Sequence, residues 1–388
     1  MDLLVEGSLI VAMNEFGIMK SFKITICYIL LYFLIDFGRG RFKYLSLLSA
    51  LLGKYLFTNA MTELGFLLIW FGIAYGLSLL KKSFKTVEAN ILGLIFASFY
   101  MLYFQGNLPY ELSIPSQMVT SLGFFLLFLT LNSENQFPYI IISFLAISQG
   151  LYLIFDLKLI AFILLHYSMI TTWAITTILG VIAVYFCKAN FKLHPMVIRK
   201  LFHFLILQIL LPGIFQDPIL TSVAFLMAFW GFLMVETLRH IKIFGFLNEF
   251  LNSFIDTRDL GEVIVTHVYL LFGCGVPIII GNFSNKNLLV MCSGLISLGI
   301  GDSMASLFGV KFGKKKWPKR KKTYIGTLAG WISMIIFAKL IGFELNLILI
   351  GALGIISLYE TYTLLIDNLV LPLFSCGLVL LLNSVLYN

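Results

Sequence analysis

Long apolar runs recur along the chain, from Phe22 to Leu386, and only short polar stretches separate them. The hydrocarbon core of a bilayer is about 30 Å thick, and an α-helix of about 20 apolar residues crosses it. A helix also satisfies its own backbone hydrogen bonds, which lipid cannot do. The runs therefore predict an all-α fold, a polytopic integral membrane helix bundle with roughly 12–14 transmembrane helices.

Composition supports a membrane protein and argues against a nucleic-acid-binding one. Of the 388 residues, 60% are hydrophobic and 12% are charged, which leaves too few polar residues to cover a soluble surface. The net charge of +8 is concentrated in the eight basic residues between Lys311 and Lys322. The rest of the chain offers no basic face for a nucleic acid. The positive-inside rule places this basic segment in the cytoplasm.

The distribution of polar residues predicts two domains. Residues 1–191 carry few charges within their apolar runs and are predicted to form N-terminal transmembrane scaffold helices. In residues 192–388, polar side chains accumulate at the ends of the runs, as expected where helices surround a wet pocket. We therefore place the chemistry in this second domain, which contains the segment 301–327.

The segment 301–327 combines an acid, small residues, glycines and lysines. Asp302 lies just after the predicted apolar run from Leu288 to Ile300, where a carboxylate is normally avoided, and Mg²⁺ typically takes one or two carboxylates together with substrate phosphates. Glycine backbone and lysine ammonium groups can approach and neutralise phosphate oxygens, and Trp317-Pro318 predicts a turn. The other residues of this pattern are Ser303, Ser306, Gly309, Gly313, Lys321, Lys322, Thr323 and Gly326.

Two simpler explanations of this segment stay open. In one, Asp302 is a snorkelling acid in a helix contact built from small residues. In the other, the lysine cluster is an anchor that binds acidic lipids. A nucleotide-binding P-loop is rejected, because three residues separate Gly309 from Gly313 where that motif requires four.

Further polar clusters lie at the ends of other apolar runs, where charged residues are not expected to face lipid. They are Arg199, Lys200 and His203; Asp259 and His267; and Glu360 and Asp367. The motifs of serine hydrolases, zinc proteases and Rossmann folds are absent from the sequence. Phosphoryl transfer fits this set of residues best, because it needs positioning, metal and charge stabilisation rather than a covalent nucleophile.

Several spaced motifs resemble those of the CTP-dependent polyprenol kinases, from about His194 to Leu373. The matching residues are Asp302, Ala305-Ser306, Gly309, Gly313, Trp317-Pro318, Lys321-Lys322-Thr323 and Gly326-Thr327, together with Arg199-Lys200-x-x-His203, Asp256-x-Arg258-Asp259-x-Gly261, Thr266-His267 and Ile366-Asp367-Asn368. The resemblance is specific because several motifs occur in order.

The resemblance implies an enzyme of the endoplasmic reticulum membrane that phosphorylates the terminal hydroxyl of dolichol or a related polyprenol. It implies CTP as the phosphate donor, a divalent cation, expected to be Mg²⁺, and a nucleotide site that faces the cytoplasm. The product would be the lipid carrier for protein glycosylation. The expected partners are therefore the polyprenol and the surrounding membrane lipids, with no nucleic acid.

The resemblance also suggests roles for individual residues. Asp302 and Asp367 are expected to hold the cation. Asp259 and His267 are both candidates for accepting the proton of the lipid hydroxyl, and the sequence does not choose between them. The residues expected to contact the nucleotide are Arg199, Lys200, Ser303, Ser306, Gly309, Gly313, Lys321, Lys322, Thr323 and Gly326.

The chain departs from the family pattern at two places. Ile325 stands where an acid is common, and Lys319-Arg320 stand where Gly-Thr is usual. Rival functions are a kinase or cytidylyltransferase that acts on another lipid alcohol or lipid phosphate, and a non-enzymatic lipid transporter. The one-sided polar clusters and the lack of a clear inverted repeat in the sequence argue against the transporter.

Overall fold

The structure is a computed structural model. It describes residues 157–191, 195–240, 266–284, 286–363 and 365–387, together with isolated positions between 73 and 96. Most of the predicted N-terminal scaffold lies outside the described residues. The total number of transmembrane helices and the domain boundary after residue 191 therefore stay predictions.

The described residues form a succession of helices. In chain order they are α1 (Leu157–Leu165), α2 (Tyr167–Phe191), α3 (Pro195–Gln216), α4 (Pro218–His240), α5 (Thr266–Phe283), α6 (Leu288–Gly294), a π-helical segment (Leu295–Asp302), α7 (Ser303–Phe312), α8 (Tyr324–Leu340), α9 (Leu347–Tyr362) and α10 (Asp367–Tyr387). The described part contains no strand, and β-pairing within it is limited to a bridge between Lys316 and Thr323. The prediction of an all-α fold is confirmed.

Within the described residues, three helices are long and apolar enough to cross a bilayer: Tyr167–Cys187, Met196–Gln216 and Leu288–Phe312. Helices α5, α8, α9 and α10 contain shorter apolar stretches. The first of the long helices exposes large apolar side chains such as Ile175 and Ile182. Lipid rather than water is the solvent that covers such a surface, and the chain is a helical membrane protein.

The chain divides into two units. The first includes residues 162–225 and 267–388, and the second includes residues 13–161 and 226–266. In the second unit, the rings of Phe96 and Phe229 lie 6.4 Å apart in a tilted arrangement. All the polar contacts described below belong to the first unit.

The continuous helix Leu288–Phe312 is the centre of the first unit. In the apolar 18-residue stretch of this helix, 78% of the residues are buried, whereas in the corresponding stretch of Tyr167–Cys187 the buried share is 6%. The π-helical segment in its middle packs against α3, α8, α9 and α10. The sequence predicted that this run ends at Ile300, but the helix continues. Gly301 and Asp302, which suggested an end, are buried by the neighbouring helices, and this packing outweighs their weak preference for a helix.

The connection between α7 and α8, residues 313–323, forms a hairpin that we call the basic hairpin. Arg320 N donates to Trp317 O at 3.1 Å, which closes a turn over Pro318 and Lys319. Lys319 has a positive φ of 57°, as the third position of a type II turn requires. The predicted Trp317-Pro318 turn is confirmed.

Polar side chains fix where α8 and α9 begin. Thr323 Oγ1 accepts the N–H of Gly326 at 3.1 Å, and Asn346 Oδ1 accepts the N–H of Leu349 at 2.7 Å. Threonine and asparagine are typical residues for this capping position, because they satisfy amides that have no partner in the first turn. The cap at Thr323 therefore fixes the backbone next to Lys322.

Gly273 allows α5 to approach the start of α10 closely. A Cβ at Gly273 would lie 2.1 Å from Asn368 O, a backbone atom that can move only if α10 shifts. We expect Gly273→Ala to lower the free energy of unfolding by about 1–3 kcal/mol, the usual cost of overpacking. Thermal unfolding in detergent measures this loss.

Gly351→Ala is the matched control for that variant. A Cβ at Gly351 meets nothing within 4 Å, and alanine favours a helix over glycine by up to about 1 kcal/mol. We expect this variant to be as stable as the original chain or more stable. A Gly273→Ala protein that unfolds at the same temperature as Gly351→Ala would contradict the packing.

Candidate active site

Asp302 ends the π-helical segment, and 4% of the residue is exposed. Its Oδ2 forms an ion pair with Nζ of Lys200 from α3. Ser306 Oγ, one turn further along the central helix, lies 3.5 Å from Oδ1. A buried carboxylate needs such partners, because an isolated charge in an apolar interior is strongly destabilising.

His203 lies one turn after Lys200 in α3 and faces the same carboxylate. Its Nδ1 donates to the carbonyl oxygen of Arg199 at 2.8 Å, since a carbonyl oxygen can only accept. Its Nε2 lies 3.7 Å from Asp302 Oδ2, which is beyond hydrogen-bond distance. This nitrogen is buried and has no hydrogen-bond partner. An unsatisfied polar atom therefore faces the Asp302 carboxylate.

Lys322, near the end of the basic hairpin, is turned toward two acids on other helices. Its Nζ forms an ion pair with the carboxylate of Glu360 in α9. It also donates to the carbonyl oxygen of Glu360 at 2.6 Å and to Oδ2 of Asp367, the first residue of α10, at 3.1 Å. The lysine thus connects the hairpin to both helices.

The surrounding charges keep Lys322 in its ammonium form. Burial by itself lowers the pKa of this side chain, but the carboxylates of Asp367 and Glu360 raise it. The pKa of Lys322 therefore lies above the ordinary value for lysine. The site contains a fixed positive charge at neutral pH.

Three carboxylates converge where these two clusters meet. One carboxylate oxygen from each of Asp302, Glu360 and Asp367 lies within 4.8 Å of the others. Hard divalent cations such as Mg²⁺ bind carboxylate oxygens, so the donors fit the cation that the sequence predicts. The three carboxylates also outnumber the two lysines that pair with them, Lys200 and Lys322.

A chain of hydrogen bonds holds the basic hairpin against α8 and α9. Trp317 Nε1 donates to Thr327 Oγ1 at 2.9 Å, and that oxygen lies 2.7 Å from Thr361 Oγ1. Ser357 Oγ donates to Thr327 O at 2.7 Å. These bonds connect the turn of the hairpin to the helix that carries Glu360. They fix the lysine-bearing segment relative to the acids.

The glycines predicted to bind phosphate lie where α7 packs against α8. Gly313 N donates to Gly309 O at 3.0 Å, and Gly326 N donates to Thr323 Oγ1 at 3.1 Å. A Cβ at Gly313 would lie 2.3 Å from Gly309 O. These glycines let the hairpin approach α7, and two of their amides already have partners. A role for them in nucleotide binding stays a prediction.

The structure brings most of the predicted charged residues together and separates some others. Those brought together are Asp302, Asp367, Lys200 and Lys322, with Arg199 adjacent in α3. Lys321 is exposed to solvent, and Ser303 is buried with its Oγ 3.4 Å from Leu298 O. Asp259 and the side chain of His267 lie outside the described residues, so the choice of base stays open.

Glu360 and His203 belong to the site but were not among the predicted site residues. Glu360 is the only charged residue of α9, and an acid in an apolar helix usually has a partner or a function. His203 follows Lys200 by three residues, a spacing that places both on one face of a helix. The sequence therefore contained a signal for each. It did not show that the two residues lie around the same aspartate.

Comparison with known proteins agrees with the motifs. Over 199 aligned residues the chain is 36% identical to the dolichol kinases of Bos taurus and Homo sapiens. Over 215 residues it is 31% identical to the dolichol kinase of Saccharomyces cerevisiae. The chain is similar to dolichol kinases. The resemblance predicted from the motifs is thereby confirmed.

The similarity covers part of each protein. The aligned segment is 46% of this chain and 37% of the bovine and human dolichol kinases, and it is 52% of this chain and 40% of the yeast dolichol kinase. The chain therefore matches well under two thirds of the length of these relatives. No protein-family model matches the chain. No solved structure matches it either.

The Lys200–Asp302 ion pair predicts a strong energetic coupling. Lys200→Met leaves the buried carboxylate without its cation, so we expect it to lower the free energy of unfolding by about 3–5 kcal/mol. Lys200→Met combined with Asp302→Asn is expected to recover part of the loss, because no unpaired charge then remains. Unfolding in detergent measures all three proteins.

Lys321→Met is the control for this experiment. Its side chain is exposed, and exposed substitutions usually change stability by less than about 0.5 kcal/mol. If Lys200→Met were no more destabilising than Lys321→Met, the buried ion pair would not contribute as described.

Proposed function

We propose that the protein is a dolichol kinase that transfers the γ-phosphate of CTP to the terminal hydroxyl of dolichol, which makes dolichyl phosphate and releases CDP and the hydroxyl proton. The observation that carries this proposal is the convergence of three buried or half-buried carboxylates with Lys322 at the end of the basic hairpin. Phosphoryl transfer requires charged groups held in fixed positions around a metal-bound phosphate. The similarity to proteins named dolichol kinase supports the choice of acceptor.

In this proposal the basic hairpin and the carboxylates both bind the triphosphate of CTP, the lysines directly and the carboxylates through a cation. Asp302 and Asp367 hold a divalent cation, Mg²⁺, which neutralises charge on the phosphate oxygens. Lys322 and Lys321 stabilise the remaining negative charge of the triphosphate, and Lys200 orients Asp302 through their ion pair. Fixed charges of this kind stabilise a transition state without reorganising during the reaction.

The acceptor reaches the same site from the membrane. The dolichol tail stays in lipid, against exposed apolar side chains such as Leu328, Ile332 and Ile336 of α8. The basic hairpin lies at the N-terminal end of the same helix. The hydroxyl therefore meets the nucleotide where apolar helix surface gives way to the charged hairpin. The positive-inside rule supports a cytoplasmic position for that end, and we propose the endoplasmic reticulum membrane because the product would be a carrier for protein glycosylation.

The direct test uses purified protein in detergent with dolichol, Mg²⁺ and CTP labelled at the γ-phosphate. We expect label in dolichyl phosphate, no transfer of label from the α-phosphate, and weaker transfer from ATP. Asp302→Asn is expected to lower the rate by about 100-fold or more, because one fixed charge in such a site typically contributes this much. Transfer of α label would instead show a cytidylyltransferase, and absence of any phosphorylated lipid would refute the kinase.

The two adjacent lysines are expected to contribute unequally. Lys322 contacts Glu360 and Asp367, whereas Lys321 is exposed. We expect Lys322→Ala to lower kcat/KM for CTP by about 100-fold or more. We expect Lys321→Ala to raise KM by less than about tenfold, as for a charge screened by water. Equal losses in the two variants would contradict the inward position of Lys322.

A further inference from the structure

The ammonium group of Lys322 lies among the carboxylates that would bind a divalent cation. Its Nζ contacts carboxylate oxygens of Glu360 and Asp367. Those two carboxylates, together with Asp302, are the ones whose oxygens lie within 4.8 Å of one another. An ammonium group and a divalent cation would therefore compete for the same two carboxylates.

A second observation points to a cation at this place. His203 Nδ1 must donate to the Arg199 carbonyl, so a neutral imidazole presents the lone pair of Nε2. That nitrogen, in a residue that is 2% exposed, faces Asp302 Oδ2 at 3.7 Å and has no hydrogen-bond partner. The Lys200 ammonium already offsets the Asp302 charge, but the Nε2 lone pair still lacks a hydrogen-bond donor, and a cation beside it would supply a positive partner. The unpartnered nitrogen supports a cation site beyond what the acids alone indicate.

We propose that Glu360 is a third carboxylate ligand of the divalent cation, and that Lys322 is an internal cation that the divalent cation displaces from Glu360 and Asp367. This inference rests on the proposed function for its cation, and it goes beyond it by assigning Glu360 and an exchange between two cations. The side chain of Lys322 is 31% exposed, so its ammonium group can turn toward solvent and a bound phosphate. In this exchange the Lys322 ammonium stabilises the carboxylates before the nucleotide binds, and the same ammonium contacts the nucleotide afterwards.

The exchange predicts opposite effects of two substitutions on cation affinity. Binding of Mn²⁺, which takes the same oxygen ligands as Mg²⁺, is measured by electron paramagnetic resonance on the full chain in detergent, without nucleotide or lipid. We expect one site, weakened by Glu360→Gln about 10- to 100-fold, because loss of a site carboxylate removes both a ligand and a charge. We expect Lys322→Met to tighten it about tenfold or more, since a competing positive charge is gone.

Lys321→Met is the control, because it removes the same charge from the neighbouring exposed position. It is expected to leave the Mn²⁺ affinity within about twofold. The proposal is overturned if the original chain binds no Mn²⁺ without nucleotide, if Glu360→Gln binds as the original chain does, or if Lys322→Met does not bind more tightly than Lys321→Met.

A second measurement uses the unsubstituted chain, so it holds even if a variant fails to fold. Brief reductive methylation of lysines, quantified by mass spectrometry, reports how accessible each ammonium group is. We expect Mg²⁺ to raise the methylation rate of Lys322 several-fold and to leave that of Lys321 unchanged. An unchanged rate for Lys322 would overturn the exchange.

These measurements separate the inference from the proposed function. If no γ-phosphate transfer is observed but the Mn²⁺ and methylation results are as expected, the proposed kinase activity is refuted and the cation exchange is supported. If γ-phosphate is transferred from CTP but Glu360→Gln binds Mn²⁺ as the original chain does, the kinase activity is supported and the cation exchange is refuted.

Discussion

The ion pair between Asp302 and Lys200 is the interaction on which the arrangement of the site depends. Asp302 lies in the helix Leu288–Phe312, whose most apolar window is 78% buried, so its charge must be compensated within the protein. The compensating lysine comes from α3, and the other acids come from α9 and α10. Because each charge needs the others, the helices that carry them have few alternative packings. The site and the packing of the first unit are therefore specified together.

The π-helical segment Leu295–Asp302 explains how a single helix can be both a core element and a site element. Such segments are uncommon, widen the helix locally and are frequently found at functional sites. Here the segment packs against four neighbouring helices and ends at the aspartate. The residues directly before it, 290–294, are buried, whereas Phe308, Val310 and Phe312 after it are exposed. The change of surroundings follows Asp302, within the helix α7 that meets the basic hairpin.

The sequence predicted the class of fold and singled out charged residues that the structure brings together, but not how the helices that carry them meet. Apolar runs predict membrane helices because lipid leaves the backbone few alternatives, and the lysine cluster predicts a loop because lysine is costly in hydrocarbon. The continuation of the central helix beyond Ile300 was missed, since it depends on burial by α8 rather than on local preference. Glu360 was missed as a partner of Asp302 for the same reason. The two residues are 58 positions apart in the numbering, and no periodicity connects the ends of different helices.

The contrast between Lys321 and Lys322 shows what the hairpin contributes. The two residues are both lysines and are adjacent in sequence, so neither the composition nor the motif distinguishes them. The backbone bends at both lysines, and their side chains differ in exposure. The bridge between Lys316 and Thr323, the type II turn at Lys319 and the cap at Thr323 together fix which lysine points inward. A shift of one residue in this hairpin would expose Lys322 and turn its neighbour toward the acids. The hydrogen bonds from Trp317 through Thr327 to Thr361 oppose that shift, so the tryptophan is a positioning residue for Lys322.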